Sequence, residues 1–159
     1  MATEQTEQKG FDAFLQDINA RIDEGVRQGA STRDFVLQSA DRYAFIRLAD
    51  INHPVRFLKQ ISGQPPVCFG TVGFQHTIVD DEEPARHYMA FVFVGYWLPT
   101  GLAIMVLWAW EILGFFRYGH WSKPDMRSGS VGIRHGRAVR KGGATVLPAL
   151  IQRDLSEPN

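Results

Sequence analysis

The longest hydrophobic stretch of the chain covers residues 89–116 and reads MAFVFVGYWLPTGLAIMVLWAWEILGFF, with Glu111 as its single charged residue. As one helix rising about 1.5 Å per residue, its uncharged part is long enough for the roughly 30 Å hydrocarbon core of a bilayer. Apolar residues cover every face between Ala103 and Trp110, whereas a helix of a soluble protein usually keeps a polar stripe. The pattern predicts a transmembrane segment over residues 89–116. The alternative is the core of a soluble helical protein.

A proline interrupts this stretch near its middle. Pro99 has no amide hydrogen and disrupts a helix interior. The segment is therefore either one kinked helix or a short interfacial helix followed by a span from Leu98 to Phe116. Trp108 and Trp110 come late in the stretch, and tryptophan rings concentrate where hydrocarbon meets lipid headgroups.

Helical periodicity dominates the chain before this stretch. Phe11, Phe14, Ile18 and Ile22 recur at helical spacing and predict an amphipathic helix over about residues 10–28. A second helix is predicted from the Ser-Thr-Arg-Asp sequence that follows to about residue 49 or 51, and a short third helix comes after it. These helices form a predicted helical unit, residues 11–62, which is small for an independent core.

The remaining segments lack a regular pattern. Residues 1–10 are polar and are predicted to be disordered, and residues 63–88 are predicted to form a loop or a short strand pair. Residues 117–159 are basic and glycine-rich and are predicted to form an extended arm without a core of its own. The predicted fold class is mainly α: a helical N-terminal unit, one transmembrane helix and an extended basic C-terminal arm.

Charge is unevenly distributed along the chain. Residues 1–88 hold nine Lys or Arg and thirteen Asp or Glu, a net charge of −4, whereas residues 117–159 hold eight and three, a net charge of +5. Basic residues beside a span stay in the cytoplasm, so a cytoplasmic C-terminus is predicted. The N-terminus has no apolar signal segment to carry residues 1–88 across a membrane. An N-terminus inside and a membrane hairpin with both ends inside are therefore the alternatives.

The residues predicted to contact lipid or a partner subunit lie late in the hydrophobic stretch and in the basic segment after it: Glu111, Trp108, Trp110, Arg117, Arg134, Arg137, Arg140 and Lys141. A charged group in hydrocarbon is costly, so Glu111 is predicted to lie at headgroup depth or to face a partner. Clustered cations beside a membrane attract anionic lipid, at about 1 kcal/mol per residue. Nucleic acid is a less favoured partner because no Phe, Tyr or Trp follows Trp121, so base stacking is not indicated.

No motif predicts catalysis or a cofactor. The chain has no nucleophile elbow and no Walker lysine, and its single cysteine, Cys68, cannot form an internal disulfide. His87 and His120 flank the hydrophobic stretch, but in one helix they would lie roughly 50 Å apart and could not share one haem. The sequence therefore predicts neither an enzyme nor a bound metal or cofactor.

These features together predict a non-catalytic, single-pass accessory or assembly subunit of a multi-protein membrane complex. The predicted setting is a bacterial inner membrane, in secretion or conjugation machinery or in a respiratory or photosynthetic complex. Its predicted partners are other subunits of the complex and the lipid bilayer. One alternative is an independent membrane-anchored module whose basic segment binds anionic lipid or nucleic acid. The other is a soluble helical protein with residues 89–116 as its core.

Overall fold

The computed structural model describes residues 10–158 except 51, 62, 64, 81 and 82, together with all side chains in that range but those of Leu58, Ile61, Arg117 and Tyr118. The described chain is mainly helical, as predicted. Its α-helices are α1 (Phe11–Gln28), α2 (Thr32–Ser39), α3 (Pro54–Ile61), α4 (Pro84–Trp97), α5 (Thr100–Tyr118), α6 (Lys123–Gly142) and α7 (Leu147–Leu155). Disorder is predicted for residues 1–10, of which residues 1–9 lie outside the described residues. Gly10 is buried and donates a hydrogen bond from its backbone N–H to the Phe69 carbonyl oxygen at 2.7 Å.

The N-terminal helices follow the predicted pattern closely. Helix α1 is amphipathic and ends at Gly29, whose left-handed backbone (φ 67°) closes the last turn. Helix α2 begins with a capping box, in which Ser31 and Asp34 each accept a hydrogen bond from the other's backbone N–H. The second helix is shorter than predicted: it passes into a π-helical turn at Ala40–Ala44 and ends where Phe45 adopts a left-handed conformation (φ 59°).

The segment between α3 and α4 is irregular. It contains a 3-10 turn at His76–Ile78, and Phe74 forms an isolated antiparallel bridge with Ser156. No strand occurs among the residues that the structure describes, so the segment is the predicted loop and not the strand pair.

The prediction of an extended C-terminal arm is wrong, because α6 and α7 are helices of the core. The side of α6 that packs against α4 is built from small residues, among them Gly129, Gly132 and Gly136. A Cβ atom at Gly132 would lie 2.6 Å from the Tyr88 carbonyl oxygen of α4, so the two backbones are in direct contact. The glycines that suggested a flexible arm instead allow two helices to pack closely.

Helix α7, near the C-terminus, packs in the same core as helix α1, near the N-terminus. Leu147, Ile151 and Leu155 of α7 are fully buried and share one core cluster with Phe14 and Ile18 of α1. The chain on either side of α5 therefore packs into a single body.

The hydrophobic stretch 89–116 belongs to two helices that separate at Leu98 and Pro99. Helix α4 lies in the core, where Tyr88, Met89 and Val92 are almost completely buried. Among the described residues, no helix combines the length and the apolar character needed to cross a membrane. The structure has two separate helices at Pro99 and not one kinked helix, but the first of them lies in the core and is not the predicted short interfacial helix.

Candidate functional site

Helix α5 contacts the rest of the molecule along one narrow stripe. Ala103, Leu107 and Glu111 follow one another at intervals of four residues, and each is at most 5% exposed. Ala103 and Leu107 pack with Phe91 of α4 and Ile133 of α6 in a small second core cluster. A spacing of four residues keeps side chains on one helix face, so the other faces of α5 have no contact with this core.

Those other faces are covered with large apolar side chains that are exposed to solvent: Leu102, Ile104, Met105, Val106, Trp108, Trp110, Ile112, Leu113, Phe115 and Phe116. Met105 and Leu113 are each 65% exposed, and Phe116 is 79% exposed. Contiguous apolar surface of this kind marks an interaction site in a folded protein. We refer to these ten residues as the α5 apolar surface.

Aromatic contacts extend this surface to the start of α6. The ring of Trp121 stacks on that of Phe115, with centroids 5.3 Å apart, and meets Trp108 edge to face at 6.2 Å. Trp121 itself is 48% exposed. The predicted contact residues Trp108 and Trp110 therefore lie on an exposed surface, together with Trp121.

Glu111 does not lie on this surface, and its predicted contact with lipid headgroups or a partner stays a prediction. Its side chain belongs to the buried stripe, near the backbone N–H of Ser122. Burial, together with the nearby charges of Asp125 and Asp80, raises the pKa of Glu111 to about 7. A spacing of four residues from Leu107 was the sequence signal for this placement.

Most of the predicted cations lie on helix α6, where their positions follow the helical repeat. Three of the predicted cations, Arg134, Arg137 and Lys141, lie on one face of the helix with Lys123 and Arg127, because the five recur at intervals of three, four or seven residues. We call these residues the α6 cationic stripe. Arg140 is exposed but lies outside this spacing, and the Arg117 side chain lies outside the described residues. The stripe runs on the side of α6 away from its buried glycines.

Two adjoining grooves lie beside this stripe, and the first of them is in the crease between α5 and α6. One, of about 500 Å³, is lined by the apolar side chains of Ile104 and Ile133 and by the cationic side chains of Arg134, Arg137 and Lys141. The other, of about 530 Å³, adjoins it at Ser130 and is lined by Trp121, Lys123, Met126 and Arg127. The crease thus combines apolar and cationic groups along its length.

A buried polar network lies elsewhere in the core, and no sequence pattern indicated it. His135 is fully buried and joins two residues: its Nδ1 lies 2.8 Å from the Tyr88 hydroxyl, and its Nε2 lies 2.8 Å from Oδ2 of Asp154. A carboxylate only accepts hydrogen bonds, so His135 donates from Nε2 to Asp154 and accepts from Tyr88 at Nδ1. Arg153 and Arg134 also bind the Asp154 carboxylate.

This network links α4, α6 and α7, and its ionisation follows from its surroundings. Hydrogen bonds from Arg153 and His135 lower the pKa of Asp154, whereas burial lowers the pKa of His135 and raises that of Tyr88. Neither Tyr88 nor His135 lines either groove of the crease. Among the described residues there is also no group of three or more His, Cys, Asp or Glu side chains placed to hold a metal ion. We assign the network a structural role.

Neither a known protein family nor any characterised protein or solved structure matches this chain. The α5 apolar surface and the α6 cationic stripe are therefore the features on which a function can be based.

Proposed function

We propose that the protein is a non-catalytic accessory subunit of a membrane complex and that helix α5 attaches it there. The observation that supports this proposal is the exposure of ten large apolar side chains on a helix that touches its own protein along one stripe. Leaving such a surface in water is unfavourable by roughly 25 cal/mol for each Å² of apolar area. A hydrocarbon environment or an apolar partner removes that cost.

The fold restricts how the attachment is arranged. Helices α4 and α6, which precede and follow α5, pack against each other, and α1 and α7 share one core. We therefore propose that α5 lies in the membrane interface with both chain ends on one side, in place of a single pass that separates them. This arrangement corresponds to the hairpin alternative of the sequence analysis. A bacterial inner membrane, and other subunits of the complex as partners, remain parts of the proposal.

The soluble-protein alternative accounts for one half of the hydrophobic stretch only. Residues Met89, Phe91 and Val92 of α4 are buried in the core, as that alternative requires. Met105 and Leu113 of α5 are mostly exposed, which a soluble monomer has no reason to maintain. We therefore favour membrane attachment through α5.

The test is a fractionation of the full chain expressed in bacteria, followed by purification in mild detergent and mass spectrometry of the proteins that accompany it. We expect the wild type in the membrane fraction with a fixed set of partners. The double variant Met105→Glu, Leu113→Glu should move to the soluble fraction and lose them, because two charges oppose burial of this surface.

The matched control is the double variant Val26→Glu, Val55→Glu, whose side chains are 65% and 69% exposed on α1 and α3. It adds the same charge outside α5 and should fractionate like the wild type. A wild-type protein that is extracted into buffer without detergent and purifies alone would contradict the proposed function.

A further inference from the structure

The cations of the α6 stripe have few partners within the protein. Lys123, Arg127, Arg137 and Lys141 form no ion pair within 4.0 Å with any carboxylate in the described part of the chain. Arg134 differs, because it binds Asp154 at 2.7 Å. The stripe thus presents four cations whose charge is not neutralised by a neighbouring side chain.

The apolar surface beside the stripe contains no charge of the opposite sign. The only acid in α5 is Glu111, which is buried and faces α6. The exposed part of α5 is therefore apolar, and the adjacent exposed face of α6 is cationic. A binding partner that covers both must itself combine apolar and anionic groups in neighbouring layers.

An anionic bilayer has this combination. Its acyl chains accept the apolar side of an interfacial helix, and its phosphate groups lie a few ångströms further out. The groove between α5 and α6 repeats the same order, with Ile104 and Ile133 beside Arg137 and Lys141. Tryptophan side chains, such as Trp121 at one end of the crease, favour the headgroup layer.

The other occupants fit this surface less well. A second copy of the chain would bring apolar surface to α5 but only cations of the same sign to the neighbouring stripe. Nucleic acid would neutralise the stripe and leave the side chains of Met105 and Leu113 in water. Charge complementarity therefore favours anionic lipid over both.

We propose that α5 and the α6 cationic stripe together form a binding surface for an anionic bilayer, with α5 at the acyl boundary and the stripe on the lipid phosphates. The inference rests on the proposed attachment through α5 and names the lipid that it requires. Near a membrane surface each cation strengthens binding about fivefold, so loss of three should weaken it on the order of 100-fold.

The test is flotation of the purified full chain with vesicles of phosphatidylcholine, alone or with a third of the lipid replaced by phosphatidylglycerol. We expect binding to the anionic vesicles that falls as salt is added, since counterions screen exposed charges. The triple variant Arg127→Gln, Arg137→Gln, Lys141→Gln should lose on the order of 100-fold in partitioning.

A matched triple variant, Arg27→Gln, Arg56→Gln, Lys59→Gln, removes the same charge from exposed positions on α1 and α3. It should bind like the wild type apart from a small change in long-range attraction. All variants change exposed or half-exposed side chains, and matching thermal unfolding curves verify that they fold.

The outcomes separate this inference from the proposed function. Equal binding of the wild type to both vesicle types overturns the role of anionic lipid and leaves attachment through α5 intact. A protein that binds neither vesicle but copurifies with membrane subunits overturns the lipid surface and supports a protein contact. Tighter binding to a fluorescent oligonucleotide than to anionic vesicles overturns the inference in favour of nucleic acid.

Discussion

Helices α4 and α5 come from one hydrophobic stretch and end in different environments. Helix α4 is enclosed by its neighbours, and Tyr88, Met89 and Val92 are at most 2% exposed. Helix α5 has one buried stripe, and Met105 and Leu113 on its other faces are 65% exposed. The exposed helix α5 is the more apolar of the two, so composition does not explain the difference.

The difference comes from what each helix meets on α6. Against α4, α6 presents its backbone at Gly132 and Gly136, and Gly95 of α4 lies against the backbone of Ile133. Against α5, α6 contributes one glycine, Gly129 beside Leu107, together with Ile133 and the side of its cationic stripe. Where α6 exposes glycine backbone, the neighbouring helix packs closely along much of its length. Larger side chains on α6 limit α5 to contact along one line. Burial is thus decided by the partner helix.

The largest effect is expected from Gly136→Ala, which opposes the packing of α4 on α6. A Cβ atom there would lie 2.7 Å from the Tyr96 backbone nitrogen, and backbone cannot move aside as a side chain can. We expect a loss of about 3 kcal/mol or more in the free energy of unfolding, measured by chemical denaturation. Gly114→Ala in α5 is the control, because its Cβ would meet nothing within 4 Å. That variant should be neutral or more stable by up to about 1 kcal/mol, and an equal loss in both would contradict the comparison.

A pair of leucines tests the single buried stripe of α5. Leu107 is 2% exposed and Leu113 is 65% exposed. We expect Leu107→Ala to lower the free energy of unfolding by about 2.5 kcal/mol, the low end for a buried leucine because α5 can relax around one stripe. Leu113→Ala should change it by less than about 0.5 kcal/mol. Similar losses for the two variants would mean that α5 is buried on more than one side.

The carboxyl of Glu111 makes the stability of the α5 contact depend on pH. Its pKa is raised from the ordinary value of 4.5 to about 7, so the folded state binds more protons than the unfolded state between these values. The stabilisation that the protonated Glu111 carboxyl provides is present at low pH and is lost as the pH rises through about 7. Glu111→Gln should match the wild type near pH 4.5 and exceed it by about 2 kcal/mol at about pH 8. Exposed Glu157 provides the control: Glu157→Gln should show no such divergence.

The smallest effect concerns the polar contact by which α4 is attached to α6 and α7. Tyr88→Phe removes the hydroxyl that donates a hydrogen bond to Nδ1 of His135. That nitrogen then remains buried without this donor. We expect a loss of about 1.5 kcal/mol in the free energy of unfolding, measured by thermal and chemical denaturation. Tyr96→Phe, on a partly buried side chain of the same helix, should cost less. The reverse order would remove the assigned structural role of the network.

The sequence predicted some of the site and missed its organisation. Trp108 and Trp110 were predicted to be contact residues, and their exposure is consistent with that role. The glycine-rich sequence predicts Arg134, Arg137 and Lys141 on an extended arm, whereas the structure places them at regular spacing along a helix whose glycines pack against α4. Glu111 is predicted at headgroup depth or against a partner because hydropathy does not show which face of a helix is buried.

Sequence alone determined the features that depend on local chemistry. These are the amphipathic α1 ending at Gly29, the capped start of α2 at Ser31, the break at Pro99, and the apolar character of the stretch around it. Tertiary structure decided the rest: that α6 is a helix against α4, that Tyr88, His135 and Asp154 meet, and that α5 remains exposed. The physical reason is that a cap or a proline acts within a few residues of chain, whereas burial depends on the shape of a surface supplied by residues far away in sequence.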